Sequence, residues 1–198
     1  MAKKTHFLFF LTLLLCLHTG FAMTLEQLSS HLKPQMLLAG HFEQSKFLKD
    51  FPKPLKTQGE FIFWAHHGII WSTQKPFASK LILTVNRLQN ITPHQQQSIS
   101  VQNNPHLTLL NQLFIDLLQG DFEQLKKSFD ISLDGSLQSW TLTLVPRDQV
   151  LQGMLRQVNI SGRQHINYLV FKTATEDRTE ILLKDQYSPK QFPQELLQ

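Results

Sequence analysis

The sequence predicts a mainly β domain with few helices and an antiparallel sheet, and three observations carry that reading. From Leu38 onward, short apolar runs alternate with turn residues, the mark of antiparallel strands. Several of those runs are apolar at consecutive positions, among them Phe61-Ile62-Phe63-Trp64, Leu81-Ile82-Leu83, Tyr168-Leu169-Val170-Phe171 and Ile181-Leu182-Leu183. A strand with one wet face alternates apolar with polar, so these imply cover on both sides. The third observation is a stretch over 105–119 that is apolar around most of its circumference, a helix that needs cover on more than one side.

Taken in order, residues 1–22 read as a secretory signal to be cleaved. Lys3 and Lys4 precede the apolar run Phe7 to Leu17, and Gly20 and Ala22 are the small residues of a cleavage site. Cys16 follows Leu15, whereas lipid attachment usually wants a small residue there, so cleavage near Ala22 is the expectation. Residues 23–198 then form a single domain. Thr24-Leu25-Glu26-Gln27 has the pattern of a capping box, and Leu25, Leu28 and Leu32 follow at helical spacing until Pro34 stops the helix. Strands are expected near 38–48, 55–65, 69–74 and 79–86, with turns at Asp50 to Pro54 and at His66-His67-Gly68, most simply joined as a meander. The polar interval Gln89 to Asn104 reads as a loop or a weak strand. Asn104-Pro105 opens the apolar helix, and Gly120 follows its end at Gln119. In the second half, strands are expected at 129–133, 139–145, 157–161, 165–173 and 179–184. Asp134-Gly135 gives a hairpin signal, Gly162 a turn, and 149–155 one or two helical turns. The tail after Tyr187 carries Pro189 and Pro193 and reads as irregular.

Composition excludes several classes. The formal charge of +4 falls to +2 once Lys3 and Lys4 leave, with 17 basic against 15 acidic side chains. That balance lacks the clustered positive footprint of a nucleic-acid binder. The only cysteine leaves with the signal, so neither a disulfide framework nor a thiolate metal site is expected. No stretch approaches the roughly 20 apolar residues of a membrane span. A catalytic motif is also missing: there is no Gly-x-Ser-x-Gly elbow, His-Glu-x-x-His helix or glycine-rich phosphate or dinucleotide loop. His66 and His67 are adjacent, and neighbours in an extended strand point to opposite faces, so they read as turn and surface residues and not as a metal pair. Glu43 and Glu60 on neighbouring strands read as solvated. Lys46, Lys49, Lys53 and Lys56 fall within eleven residues and face only Asp50, either a solvated loop or a docking surface for an acidic partner or anionic head group.

The surplus of apolar surface leaves two interiors open. One is a large packed core with helices on the sheet, and the other is a curved sheet closed by a helical lid over an apolar cavity that holds a lipid.

Taken together, Phe42-Glu43-Gln44-Ser45-Lys46 after the first helix, Gly59-Glu60-Phe61, Trp71 followed by Pro76, and Leu142-Thr143-Leu144-Val145-Pro146 resemble the outer-membrane lipoprotein carrier proteins, the LolA-like family. The order of signal, helix, strand block, apolar helix and second strand block is similar too, and the resemblance covers nearly all of the chain after residue 22. It implies an incomplete antiparallel β-barrel with a helical lid over an apolar cavity that admits acyl chains. The cavity would be walled by Phe42, Phe61, Phe63, Ile69, Trp71, Leu81, Leu83, Trp140, Leu142 and Leu144, and Leu110, Phe114, Leu117 and Leu118 would belong to the lid. One departure is visible: where the family places an arginine that ties lid to barrel, this chain has Ala65, flanked by Trp64 and His66.

The implied function is a periplasmic carrier, with no cofactor and no metal, that shields an acylated lipoprotein or lipid between an inner-membrane donor transporter and an outer-membrane acceptor. A monomer is expected. At ~0.8 kcal/mol per methylene, an acyl chain cannot cross water unshielded. A carrier or accessory for export of a glycolipid or other acylated product is the alternative, and a non-ligand envelope adaptor is a third. An esterase shares the cavity but needs a nucleophile and base that the sequence does not offer.

Overall fold

Thr24 starts the first helix, α1 (Leu25–His31), with a full capping box: its hydroxyl accepts from Gln27 N–H, and the Gln27 side chain accepts from Thr24 N–H. The structure, a computed structural model, describes residues 23–32, 37–100 and 105–197, and the side chains at 105–107 and 109–111 fall outside the described set. The expected signal at 1–22, Pro34 and Asn104 lie outside the described residues.

Eleven strands follow: β1 (Leu37–Phe47), β2 (Leu55–Trp64), β3 (Gly68–Lys75), β4 (Ser79–Thr84), β5 (Arg87–Ile91), β6 (Gln96–Ser100), β7 (Phe129–Ser136), β8 (Ser139–Pro146), β9 (Leu155–Gly162), β10 (Ile166–Thr173) and β11 (Arg178–Tyr187). The helices α2 (Pro105–Gln119) and α3 (Phe122–Leu125) interrupt them between β6 and β7, and α4 (Gln149–Gln152) between β8 and β9. The sheet order is β6-β5-β4-β3-β2-β1-β11-β10-β9-β8-β7, so two antiparallel meanders are joined by β1 pairing with β11. The result is a curved antiparallel sheet that is not closed into a barrel. No pairing joins β6 to β7 among the described residues.

One expectation needs correction and two open readings are decided. The polar interval after Gln89, read as a loop or a weak strand, is strand: it forms the end of β5 and β6, and β6 is exposed along its whole length. Glutamines and serines suit it because it is the outermost strand, where polar side chains discourage pairing with another chain. Asp134-Gly135 does not turn, since β7 runs on to Ser136 and the two-residue connection is Leu137-Gln138. Gly135 is needed for another reason: its φ is +100°, and a Cβ there would meet the Ser139 carbonyl oxygen at 2.2 Å. Of the one or two helical turns expected within 149–155 there is one, α4, which stops at Gln152 because β9 starts at Leu155 and pairs with Thr173.

Register sorts the side chains into two faces. The inner face carries Phe42, Phe61, Ile69, Leu83, Trp140, Leu142, Leu144, Val158, Ile160, Leu169, Ile181 and Leu183, which pack with Leu113 and Leu117 of α2 and Leu28 of α1 into the main core. Ser29 Oγ donates to the Gly120 carbonyl at 2.8 Å and so ties α1 to the end of α2. The outer face holds a second cluster of Leu37, Trp64, Ile70 and Ile82, capped by Leu196 of a short 3₁₀ turn, Gln194–Leu196. Phe192 packs on Trp64 at 4.8 Å between ring centroids, and Lys80 pairs with Glu195 at 3.4 Å. The consecutive apolar residues of β2 and β4 are thereby covered on both sides, the outer cover being the tail that composition marks as irregular. In the second half the outer face is less covered: Tyr168, Val170 and Leu182 are half-buried.

Candidate functional site: a cavity beneath α2

β3 and β4 bring Ile69, Trp71, Leu81 and Leu83 side by side on the inner face, because Trp71 pairs with Leu81 and Ile69 with Leu83. β1 adds Gln44 opposite Ile181 of β11. Phe114 of α2 closes the space from above, and these seven side chains enclose a cavity of about 150 Å³. Gln44 is the one polar member of that lining. Three aromatic contacts frame it. Trp71 stacks on Phe42 at 3.9 Å between ring centroids and lies 6.1 Å from Phe61, while Phe114 stacks on Phe171 of β10 at 5.3 Å. Two wider depressions, about 650 and 670 Å³, flank His31 near the Leu137-Gln138 turn. Both are open and mix polar with apolar lining, whereas the small space under α2 is lined almost wholly by apolar side chains.

The ten expected wall residues divide. Ile69, Trp71, Leu81 and Leu83 line the cavity. Phe42, Phe61, Phe63, Trp140, Leu142 and Leu144 are on the same face by register, but each is at most 2% exposed and buried. The Trp140 Nε1–H donates to the Arg163 carbonyl at 2.9 Å, which fixes the ring in the interior. Of the expected lid residues, Phe114 lines the cavity, Leu117 is buried in the core and Leu118 is half-buried against it. Leu110 lies on α2, and its side chain is outside the described residues. Gln44 and Ile181 are missing from the sequence-based set. Ile181 and Leu183 at alternate positions of the last strand are the signal that marks an inner face there.

α2 also carries a buried carboxylate. Asp116 is 4% exposed, and Gln112 Nε2 donates to its Oδ1 at 2.6 Å. Burial pushes its pKa up, partly opposed by the Gln112 hydrogen bond, with Asp121 adding to the rise and Lys127 opposing it. The native state therefore holds this proton more tightly than the unfolded chain, and stability contributed by the neutral acid is lost as pH rises through the native pKa. Asp116→Asn, whose amide oxygen still accepts from Gln112, is expected to raise the Tm at pH 7. The gain should shrink on acidification and vanish below about pH 4, where the carboxyl is neutral in both states. Thermal unfolding across that range checks the sign.

At the far end of α2, Gln119 Nε2 lies 3.4 Å from His66 Nδ1. His66 sits in the turn after β2 with φ of +65°, and Ala65 beside it is 5% exposed. His67 stacks on Trp64 at 3.6 Å, so the two histidines serve different elements. Glu43 and Glu60 are each matched to a cation or histidine: Lys184 reaches Glu43 at 2.7 Å, and His41 lies 3.9 Å from Glu60. The lysines of the β1–β2 loop do not face Asp50 alone, as the sequence suggests. Lys49 pairs with Glu176 at 2.9 Å, and its N–H donates to Asp177 across the loop between β10 and β11. Among the described residues no group of three or more His, Cys, Asp or Glu is placed to hold a metal ion.

A family model described as outer membrane lipoprotein carrier protein LolA-like matches residues 30–175. A search of the curated proteins finds no match to this chain. Among solved structures, a LolA superfamily protein from Nitrosomonas europaea is similar at 9% identity, covering 89% of this chain and 98% of that one with a TM-score of 0.49. The Pseudomonas aeruginosa MucA/MucB complex contains a chain 13% identical, with coverage of 88% here and 59% there and a TM-score of 0.49. LprF from Mycobacterium bovis is 12% identical over 85% of this chain and 93% of its own, with a TM-score of 0.37.

Proposed function

Because the chain belongs to the outer membrane lipoprotein carrier protein LolA-like family, we propose that it shields the acyl chains of a lipoprotein or lipid in the cavity beneath α2 and carries them between the inner and outer membranes. Members of this family are envelope or periplasmic proteins that bind lipid or lipoprotein cargo. The observation that carries the reading for this chain is the apolar space between Trp71 and Phe114, lined by six apolar side chains and Gln44. Its volume of about 150 Å³ suits one small apolar molecule the size of benzene, and not an acyl chain. Sites for larger ligands usually run from about 300 to 1,000 Å³. On this reading α2 lies closed over the space, and it lifts to admit cargo. Asp116 suits such a lid, because a carboxyl buried on α2 is costlier to ionise with the helix closed than with it lifted into water.

A carrier of this kind takes cargo from an inner-membrane donor and yields it to an outer-membrane acceptor. It works as a monomer exported by a cleaved signal at 1–22, with the remaining chain as one domain, and it binds rather than transforms its cargo. Export of a glycolipid or other acylated product is the second reading. Ala65 favours it, since the family's lid-tying arginine is absent and the contact beside that position is one between His66 and Gln119 at 3.4 Å. Native mass spectrometry of the protein from a periplasmic extract, followed by organic extraction, tests both. A bound acylated molecule is expected, and its head group chooses between them. Protein that is empty and takes up no fluorescent fatty acid would instead indicate an envelope adaptor.

A further inference from the structure

The two most exposed phenylalanines of the described chain lie at one end of the sheet, on neighbouring hairpins. Phe77, in the β3–β4 connection, is 82% exposed, and Phe51, in the β1–β2 loop, is 61% exposed, with Leu55 beside it at 52%. Register shows that the β1–β2 hairpin outruns its neighbour β3. Its outermost pair is Lys46 with Leu55, whereas β3 joins β2 only from Gln58, opposite Lys75. Three residue levels, about 10 Å, therefore extend past β3, while β11 flanks β1 to its end, with Phe47 opposite Arg178. Isolated exposed apolar residues are ordinary, but two phenyl rings at the tips of adjacent loops are a poor arrangement for a surface that meets only water.

Lysines outnumber the acids around them. Lys46, Lys53, Lys56 and Lys75 are exposed at this same end, and none has a carboxylate within ion-pair distance among the described residues. The acids nearby are largely engaged: Glu176 holds Lys49 at 2.9 Å, and Asp177 accepts from the Lys49 N–H, leaving Asp50 in the loop. Apolar rings at loop tips ringed by lysine amines match a bilayer interface: the rings enter the boundary between head groups and acyl chains while the ammonium groups meet phosphate oxygens. Gln44 and Ile181, both on the cavity lining, lie three residues from the strand ends Phe47 and Arg178 at this end.

We propose that this end of the sheet docks on an anionic phospholipid surface, with Phe51 and Phe77 inserted and Lys46, Lys53, Lys56 and Lys75 on the head groups. The docking gains its purpose from the carrier reading, because it places one wall of the cavity within about 10 Å of the membrane that gives up or receives the acyl chains. It does not depend on that reading to be measured.

The test is co-sedimentation of the protein with vesicles of phosphatidylethanolamine and phosphatidylglycerol, and with vesicles of phosphatidylcholine alone. Binding to the anionic vesicles is expected to exceed binding to the neutral ones and to weaken as salt rises. Phe51→Ser with Phe77→Ser should lower it about tenfold. Each of Lys53→Gln, Lys56→Gln and Lys75→Gln should lower it roughly fivefold at low salt. Tyr187→Ser removes a 58% exposed ring at the opposite end of β11 and should change nothing. Wild-type protein that ignores anionic vesicles, binds both kinds equally, or binds unchanged after loss of both phenylalanines overturns the docking. Capture of a fluorescent fatty acid in vesicle-free solution is read in parallel. The double phenylalanine variant should retain it, and its absence from the wild type would sink the carrier reading while leaving the docking result standing.

Discussion

Trp71→Glu is expected to weaken capture of a fluorescent fatty acid at least about tenfold while the protein stays folded. The ring stacks on Phe42 at 3.9 Å and forms one wall of the cavity, so the substitution removes the stack and points a carboxylate at the place where alkyl chain must go. An unpaired charge facing hydrocarbon costs several kcal/mol, against the 1.4 kcal/mol that a tenfold change requires. Trp71 is only half-buried in the closed state, so with no cargo present the carboxylate keeps access to water and the fold is spared most of that penalty. Circular dichroism and urea unfolding establish that the variant is folded, and fluorescence titration gives the affinity. Capture at wild-type strength would remove the inner face of β3 as the site.

Leu142→Ala should do the reverse. Leu142 is completely buried, pairs with Leu133 and Ile160 on its two sides, and contributes nothing to the cavity lining. Truncation there loses about 2–5 kcal/mol from the transfer term and the hole left behind, enough to move the urea midpoint by a molar unit or more. Lipid affinity of the molecules that remain folded should change little. Phe114→Ala is the matching control, because its half-buried ring stacks on Phe171 and roofs the cavity. It should lose affinity with a smaller loss of stability. Equal effects of the two on affinity would mean that the β7–β10 half of the inner face also receives cargo.

These two variants mark a division that no local pattern contains. Leu81 and Leu142 are both leucines on the inner face of antiparallel strands, and their neighbours in sequence give each the same reading. What separates them is the path of α2. Its Leu113 and Leu117 enter the core that Leu142 belongs to, while Phe114 reaches Phe171 and leaves space over Trp71 and Leu81. Asp116 escaped notice for a related reason: one aspartate in an apolar helix looks like its solvent-facing residue until the tertiary contacts bury it. Phe77 was equally silent, since a phenylalanine after Pro76 reads as a strand residue as readily as an exposed loop tip.

By itself the sequence determined most of the strands and the helix ends, because apolar runs, turn residues and capping signals act over a few residues and need no distant partner. The capping box at Thr24 and the helix over 105–119 ending before Gly120 were legible there, whereas the set Phe61, Phe63, Ile69 and Trp71 followed only from the family resemblance. Tertiary structure alone decided that β1 pairs with β11, that the polar stretch at 96–100 joins the edge of the sheet, and that the tail with Leu196 covers the outer face. It also decided which inner-face side chains pack solidly and which enclose a space. Those outcomes join residues as far apart as Ala39 and Tyr187, 148 positions, and turn on how one helix fills a curved surface. A void is a property of that fit among many side chains, so no single residue or spacing announces it.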